Sequence, residues 1–485
     1  MKPAKKIAVI DIGSNSCRMV IYEQAGGALI PYFNEKAMAG LGRDLAETGR
    51  LSPSGRELAL QTFHRFRAIT NSLDITTIRA VATAAVREAI DGEEFKETAE
   101  RILGVPIQVL TGADEGRLSA VGVRVGTFEP KGLVADLGGT SMELLPLADD
   151  EKGETFLLGP LARSKDADLS PEKRAKAIRK ILAGGNLTSS HKGGKLYAVG
   201  GAWRNVAAVH MMLCNYPLRV AHGYTMSRTD VRNVIDAADL AKSDKLTREQ
   251  LQGVSKRRFD TLLHAAILLS TLMEQLDTDK AVISSFGLRD GVAAEGMKAD
   301  GARGLLDAVP LFLRSTKESI LFGQELYRFI APIADQFKQS KPVLQAICLM
   351  ADAGARMHPD HRANLVYEQV LRAPVPALSH NQRLFAAYAA ASRYTFKFVE
   401  SPGYAGMLKL SMKRRAKILG CAMRLAGVYS GRSGPILATA RLEMNDDTLC
   451  MHIERDYGDL VSETVERCLA QLAGLMKLHP RLIVE

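Results

Sequence analysis

At 485 residues the chain exceeds what one hydrophobic core organises, so two or three domains are expected. Hydrophobic residues at 46% and charged residues at 24% are the proportions of a soluble globular protein, and no run reaches the roughly 18 apolar residues of a membrane span. The 64 Lys and Arg against 54 Asp and Glu leave a net charge of +10, which favours an anionic partner without naming it. That excess divides between residues 1–304 (41 basic, 37 acidic) and 305–485 (23 basic, 17 acidic), so it is not a detachable basic tail. Cys17, Cys214, Cys348, Cys421, Cys450 and Cys468 show no C-x-x-C or zinc-like spacing, which predicts reduced thiols and no disulfides. The start, "MKPAKKIAVIDIG", is basic, but Asp11 interrupts its apolar run; it reads as a strand and not as a signal peptide, with the cytoplasm as the default location.

In chain order, "KKIAVIDIG" and "CRMVIYEQAGGALIPYFNEKA" are β-rich runs joined by a tight turn at 13–16, with Gly26 and Gly27 turning the next hairpin. A helix is expected over 53–72, capped by Ser52 and with Pro53 in its first turn. "TTIRAVATAAVREA" reads as a buried strand running into a helix, and "IQVLTGADEGRLSAVGVRVG" repeats that order. At 132–147 "GLVADLGGTSMELLPL" brings back the opening pattern of apolar run, aspartate, glycine, small hydroxyl residues and second apolar run. This is an internal repeat, and it predicts two related halves facing each other. A third glycine turn, "YAVGGAWRNVA", follows at 197–207. After about residue 304 come helix-forming stretches rich in Ala, Leu and Arg. The end reads as a hairpin turning at Asn445, Asp446 and Asp447, the helix "SETVERCLAQLAGLMK" and a final strand "RLIVE". The basic clusters "EKRAKAIRK" (172–180) and "MKRRAKILG" (412–420) read as solvated helix faces.

A strand-turn-strand with Asp-x-Gly followed by small residues can present backbone N–H groups and hydroxyls to phosphate oxygens while its aspartate approaches a metal or its water shell. Glycine suits such a turn because a Cβ would obstruct the approach. One such turn is ordinary hairpin material; two in one chain, each with its acid, are not. Between them Arg87 and Glu115 fall at strand-to-helix junctions, where side chains can reach a cleft. Phosphate transfer needs this set: donors to neutralise the transferred group, an acid near metal, and a carboxylate to orient or deprotonate water.

In order and spacing, "VIDIGSNSCRMVI", "ATAAVREA", "LTGADEGRL", "VADLGGTSMEL", "VGGAWRNVA" and "SFGLRDGV" resemble the motif series of the exopolyphosphatase and guanosine pentaphosphate phosphatase family over about residues 5–300, most like a bacterial exopolyphosphatase. The resemblance implies an α/β fold of the actin-like ATPase superfamily. Its two ribonuclease-H-like lobes, 1–130 and 131–304, would flank a cleft. A mostly α-helical, HD-related C-terminal domain over 305–485, ending in a small α+β element, would extend that cleft and supply basic side chains.

Carried over by position, the catalytic glutamate falls on Glu115 and not Asp114, and the substrate-binding arginine on Arg87. Asp136 and Glu143 take the catalytic, metal-associated carboxylates, with Asp11 as a third metal-proximal acid. Phosphate-binding positions are Gly13, Ser14, Asn15, Ser16, Arg18, Gly138, Gly139, Thr140, Ser141, Gly201 and Arg289. Thr140 stands where the family has a third glycine, and Ala202-Trp203, between Gly201 and Arg204, where it more often has threonine and an aliphatic residue. The lone tryptophan, Trp203, reads as core packing. No His-Asp dyad occurs in the C-terminal region, where His358, Asp360 and His361 offer only a weak metal reading. What the resemblance implies is Mg²⁺-dependent release of orthophosphate from the end of inorganic polyphosphate, stimulated by K⁺. Guanosine pentaphosphate 5′-phosphatase activity is the alternative substrate reading, and an actin-like kinase or ATPase or a silent alarmone sensor are the alternatives of other classes. It further implies a homodimer, an alarmone nucleotide as inhibitor, and neither membrane nor nucleic acid as partner.

Overall fold

Strands β1 (Lys5–Ile12) and β2 (Cys17–Ala25) pair antiparallel, with Asp11 opposite Arg18 and Ile12 opposite Cys17. β3 (Ala28–Ala37) adds antiparallel to β2, and β4 (Thr77–Ala82) and β5 (Ile107–Val109) extend the other side in parallel, giving the order β3-β2-β1-β4-β5. A second sheet has the same plan. In it β6 (Leu133–Leu137) and β7 (Met142–Pro146) are the antiparallel pair, β8 (Glu154–Phe156) lies beyond β7, and β9 (Leu196–Val199) and β11 (Lys280–Ile283) add in parallel. One further strand, β10 (Thr225–Ser227), closes the far edge of the order β10-β11-β9-β6-β7-β8. The repeat read from two turns is thus a repeat of two whole sheets. The computed structural model describes residues 4–148, 152–163, 166, 169–255, 259–297 and 301–485. Both sheets lie in one unit, Ala4–Gly301, and Ala302–Glu485 make another.

Period-two alternation assigns the faces of the first sheet. Ala8, Ile10 and Ile12 join Phe63 and Phe66 of the helix Pro53–Ser72 and Phe95 of the helix Gly92–Leu103 in one core. Ile7 and Val9 point the other way, to Leu118 and Val125 of the helix Gly112–Gly126 and Val292 of the helix Leu288–Ala294. The second sheet packs Leu133, Ala135 and Leu137 against the helices Gly201–Leu213 and Phe259–Gln275. Its other face, through Val134, Tyr197 and Val199, meets Ala120 and Val123 of the same Gly112–Gly126 helix. That helix is therefore buried between the two sheets. Trp203 is fully buried in the second core, its indole N–H donating to the Ala265 carbonyl at 2.9 Å.

The helices Gly112–Gly126 and Leu288–Ala294 follow the last parallel strand of each sheet and cross with almost no space between backbones. A Cβ on Gly291 would lie 1.8 Å from the Leu118 carbonyl oxygen, and one on Gly122 would lie 2.2 Å from that of Gly287. Gly291→Ala is expected to cost about 3 kcal/mol, the upper part of the range for overpacking. Gly253→Ala, where a Cβ meets nothing within 4 Å, is expected to lose no stability. Denaturation midpoints of the two variants, compared directly, check this.

The C-terminal unit is mostly helical. The helices His380–Tyr394 and Leu410–Ser430 pack closely at Gly420, whose Cβ would lie 2.5 Å from the Ala389 carbonyl oxygen. A small sheet, β12 (Ala440–Met444), β13 (Thr448–Ile453) and β14 (His479–Val484), follows, with β12 antiparallel and β14 parallel to β13. The hairpin turns at Asn445–Asp447, with the Asn445 amide donating to the Thr448 carbonyl at 3.0 Å. Arg393 and Asp352 form a buried ion pair at 2.9 Å. The 412–420 cluster is not simply solvated: Lys413 pairs with Glu400, Arg414 caps the Leu475 carbonyl and Lys417 lies over the Phe396 ring. All six cysteines are free, and only Cys214 is exposed.

Candidate active site

Both hairpin turns open onto one cleft of about 230 Å³ in the N-terminal unit. In the first, the Gly13 amide donates to the Ser16 carbonyl at 3.1 Å; in the second, the Gly138 amide donates to that of Ser141 at 2.9 Å. The carbonyls at the turn tips face the chain behind them. Those of Ser14 and Asn15 accept from Gly42 and Gly40, and those of Gly139 and Thr140 from Leu161 and Gly159. Among the described residues, the amides of Ser14, Asn15, Ser16, Gly139, Thr140 and Ser141 make no backbone hydrogen bond. Each turn is thus a loop of donors available to an anion. Thr140 is absent from the positive-φ residues, so no glycine is required there. Gly200 does require one, with φ of 110° and a would-be Cβ 2.5 Å from the Leu137 carbonyl oxygen. It leads into Gly201, which lines the cleft.

The Gly112–Gly126 helix separates the roles of its two acids. Asp114 closes a capping box with Thr111, accepting its hydroxyl at 2.6 Å and its amide at 3.2 Å. Glu115, one residue on, faces the cleft with 13% of its side chain exposed. Burial, with Asp136 and Asp11 nearby, pushes its carboxyl up to about 7 against the opposing Arg87. The Arg87 guanidinium, on the short helix Ala84–Glu88, donates to Glu115 Oε1 at 2.8 Å and to the Leu110 carbonyl at 2.5 Å. Arg87 meets the site through its bond to Glu115, and its charge also opposes the rise of Glu143.

On the second hairpin Asp136 and Glu143 are directly paired across β6 and β7, and both line the cleft. Burial and then Glu115 push Glu143 up to about 8, opposed by a 2.5 Å hydrogen bond from the Ser141 hydroxyl. Burial likewise raises Asp136, opposed by a hydrogen bond from the Ser119 hydroxyl. The first hairpin holds Asp11 and Arg18 at the equivalent pair of positions. Asp11 accepts from Arg289 at 2.7 Å. Arg18 is lowered to about 10 by burial and by Arg289, and its Nε donates to Asn34 at 2.7 Å. Asp290 is raised by burial and held by the Gly287 amide and the Tyr22 hydroxyl at 2.9 and 3.1 Å.

Among the described residues no three His, Cys, Asp or Glu side chains are grouped as a metal cage, and Asp11 already faces Arg289. His358 and Asp360 are largely exposed, at 67% and 81%. Mg²⁺ does not need a cage: it binds through one or two carboxylates, waters and substrate phosphates. Asp136 and Glu143, paired across the hairpin with their carboxyls raised, make an acidic wall that a divalent cation would stabilise. These residues fit Mg²⁺.

The cleft also contains residues the motifs did not single out. Lys36 lies beside Arg18 in the β2–β3 register, after a β-bulge at Ile21/Tyr22 that no sequence pattern announces. Thr83, Leu161, Thr261 and Ser284 line it from four separate segments. Ser285 belongs to "SFGLRDGV" and has the signal of the other loops, a small polar residue ahead of a glycine at a strand-to-helix turn.

The model of the Ppx/GppA phosphatase family matches residues 20–299, and that of the exopolyphosphatase C-terminal family matches 324–483. Exopolyphosphatase 1 of Mycobacterium tuberculosis (strain ATCC 25618 / H37Rv) is 26% identical over 313 residues, which are 61% of this chain and 90% of that protein. Among solved structures, the Aquifex aeolicus member of the Ppx/GppA family aligns with a TM-score of 0.53 at 24% identity, over 61% of this chain and 98% of that one. An exopolyphosphatase from Cytophaga hutchinsonii ATCC 33406 aligns with a TM-score of 0.54 at 20% identity, over 61% and 99%. The two structural likenesses speak for the fold.

Proposed function

The chain belongs to the Ppx/GppA phosphatase family, and from that premise we propose that it is an exopolyphosphatase, hydrolysing the terminal phosphate of inorganic polyphosphate. The observation that carries this reading is Glu115: a carboxylate pushed up to about 7, facing a cleft with a donor-lined turn on each side. A general base works best with an affinity for protons near the working pH. Glu115 aligns a water with the terminal phosphorus and takes its proton as the water attacks in line. The amides of the two turns, Arg18 and Arg289 hold the phosphate oxygens as the bridging oxygen departs. Arg87 holds the Glu115 carboxylate in place. Asp136 and Glu143 would hold Mg²⁺; the chemistry that a bound Mg²⁺ supplies is neutralisation of the phosphate oxygens' charge. The net charge of +10 fits a long polyanion, because each added phosphate brings charge to be matched.

The reading extends to a homodimer, K⁺ stimulation, inhibition by an alarmone nucleotide and a cytoplasmic location. No helix of the described residues is long and apolar enough to cross a membrane. The test is orthophosphate release with Mg²⁺ from long-chain polyphosphate, guanosine pentaphosphate and ATP in parallel. The expected result is turnover of polyphosphate well above the other two. Turnover of the pentaphosphate alone would move the substrate to the nucleotide with the same residues at work, and ADP formation from ATP alone would make the site that of an ATPase.

A further inference from the structure

The helix that carries Glu115 places a second functional group on the same face. Ser119 lies four residues on, about one helical turn, and is fully buried. Three buried hydroxyls within helices turn back onto the carbonyl four residues earlier: Thr62 to Leu58, Thr271 to Ile267 and Ser430 to Ala426, at 2.7 to 2.8 Å. The Ser119 hydroxyl instead donates to Oδ2 of Asp136, on β6 of the other sheet. The backbone of Asp136 is fixed by its pairing with Glu143 and Val199, but that pairing does not set the direction of its carboxylate. The bond from Ser119 ties one of its two oxygens, Oδ2, and so restrains the turn of the carboxylate in the cleft that Asp136 lines.

We propose that Ser119 is a positioning residue of the hydrolytic site, one that aims the Asp136 carboxylate and ties the helix of Glu115 to the second turn. The proposal rests on the phosphohydrolase reading above. Glu115 stands on a connection from the first sheet and Asp136 on a strand of the second, so their separation depends on how the two sheets are held. A hydrogen bond from one turn further along the same helix fixes that separation locally. Groups that orient a metal-facing carboxylate without touching the metal change its affinity by about 10- to 100-fold when removed.

The experiment is a double-mutant cycle between Ser119→Ala and Asp136→Asn, with two readouts: orthophosphate release from polyphosphate, and Mn²⁺ binding followed by electron paramagnetic resonance without substrate. Ser119→Ala is expected to lower kcat about tenfold with KM nearly unchanged, and to weaken Mn²⁺ binding about tenfold, the lower end of that range. In the Asp136→Asn background the same change is expected to add less than about twofold to either, because a group acting through Asp136 has nothing left to aim. Equal losses in both backgrounds, or unchanged Mn²⁺ affinity in Ser119→Ala, would overturn the proposal. If Ser119→Ala does not fold, Ser119→Cys keeps the size with a weak donor; intermediate Mn²⁺ affinity supports the proposal and full wild-type affinity refutes it. A wild type that releases no orthophosphate would remove the hydrolase reading while the Mn²⁺ cycle still decides the role of Ser119.

Discussion

Glu115→Gln is expected to lower orthophosphate release by about 10³-fold, within the range for loss of a positioned general base. Glutamine keeps the size of the side chain and can still accept from Arg87 at 2.8 Å, so the helix and its neighbour stay in place. What it cannot do is take a proton from water. The other acids of the cleft are poor substitutes, since Glu143 is tied to Ser141, Asp136 to Ser119 and Asp11 to Arg289. The pH profile supplies a second, independent reading of the same variant. With its carboxyl pushed up to about 7, Glu115 loses its basic form as pH falls through neutrality, so wild-type kcat/KM should decline from pH 8 toward pH 6. In Glu115→Gln the residual activity should lose the part of that limb set by Glu115 and keep the part set by Glu143, whose carboxyl burial pushes up to about 8. A residual rate within about tenfold of wild type, far above what loss of a general base leaves, would transfer the role of base to another group.

Arg289→Ala is expected to lower kcat by about 10²- to 10³-fold, the magnitude for removing one donor that meets developing charge. Arg289 makes a second contribution through Asp11. Their 2.7 Å pair is mostly buried, and without the guanidinium the Asp11 carboxylate faces Asp136 and Glu115 with Arg18, opposite it in the hairpin, as its remaining nearby cation. Arg289→Lys restores the charge but not the forked donor, so it should recover stability more fully than rate. Steady-state kinetics and thermal unfolding on the same three proteins check this. Equal recovery of both in the lysine variant would show that Arg289 acts only as a counter-ion.

The hairpins were legible because each combines a two-residue alternation with an acid-glycine turn, and both signals are local. The distinction between Asp114 and Glu115 is also local: Thr111-x-x-Asp114 is the pattern of a capping box, which occupies the first acid and leaves the second free. Other parts depended on which segments meet. Arg87 reads as a cleft arginine from its junction, yet its side chain ends on Glu115, because β4 and β5 are neighbours and set their two following helices side by side. Lys36 enters the cleft through a register that a bulge shifts. Ser119 carries no motif at all, since its partner lies on a strand of the other sheet. In the C-terminal unit the hairpin at Asn445–Asp447 was visible from its turn residues, whereas the parallel pairing of β14 with β13 is long-range and leaves no local trace.

The two hairpins are copies in backbone but not in charge. Opposite the aspartate of β1 stands Arg18, and opposite that of β6 stands Glu143. One duplicated frame therefore makes two unlike sides, with Arg18 and Lys36 beside Asp11 on the first and the two acids Asp136 and Glu143 on the second. A chain of identical phosphates has no sequence to read, but it does have an end. On the function proposed above, an end seated between these sides meets unlike charge on either flank, so the end of a uniform polymer is told from its middle by place and not by sequence.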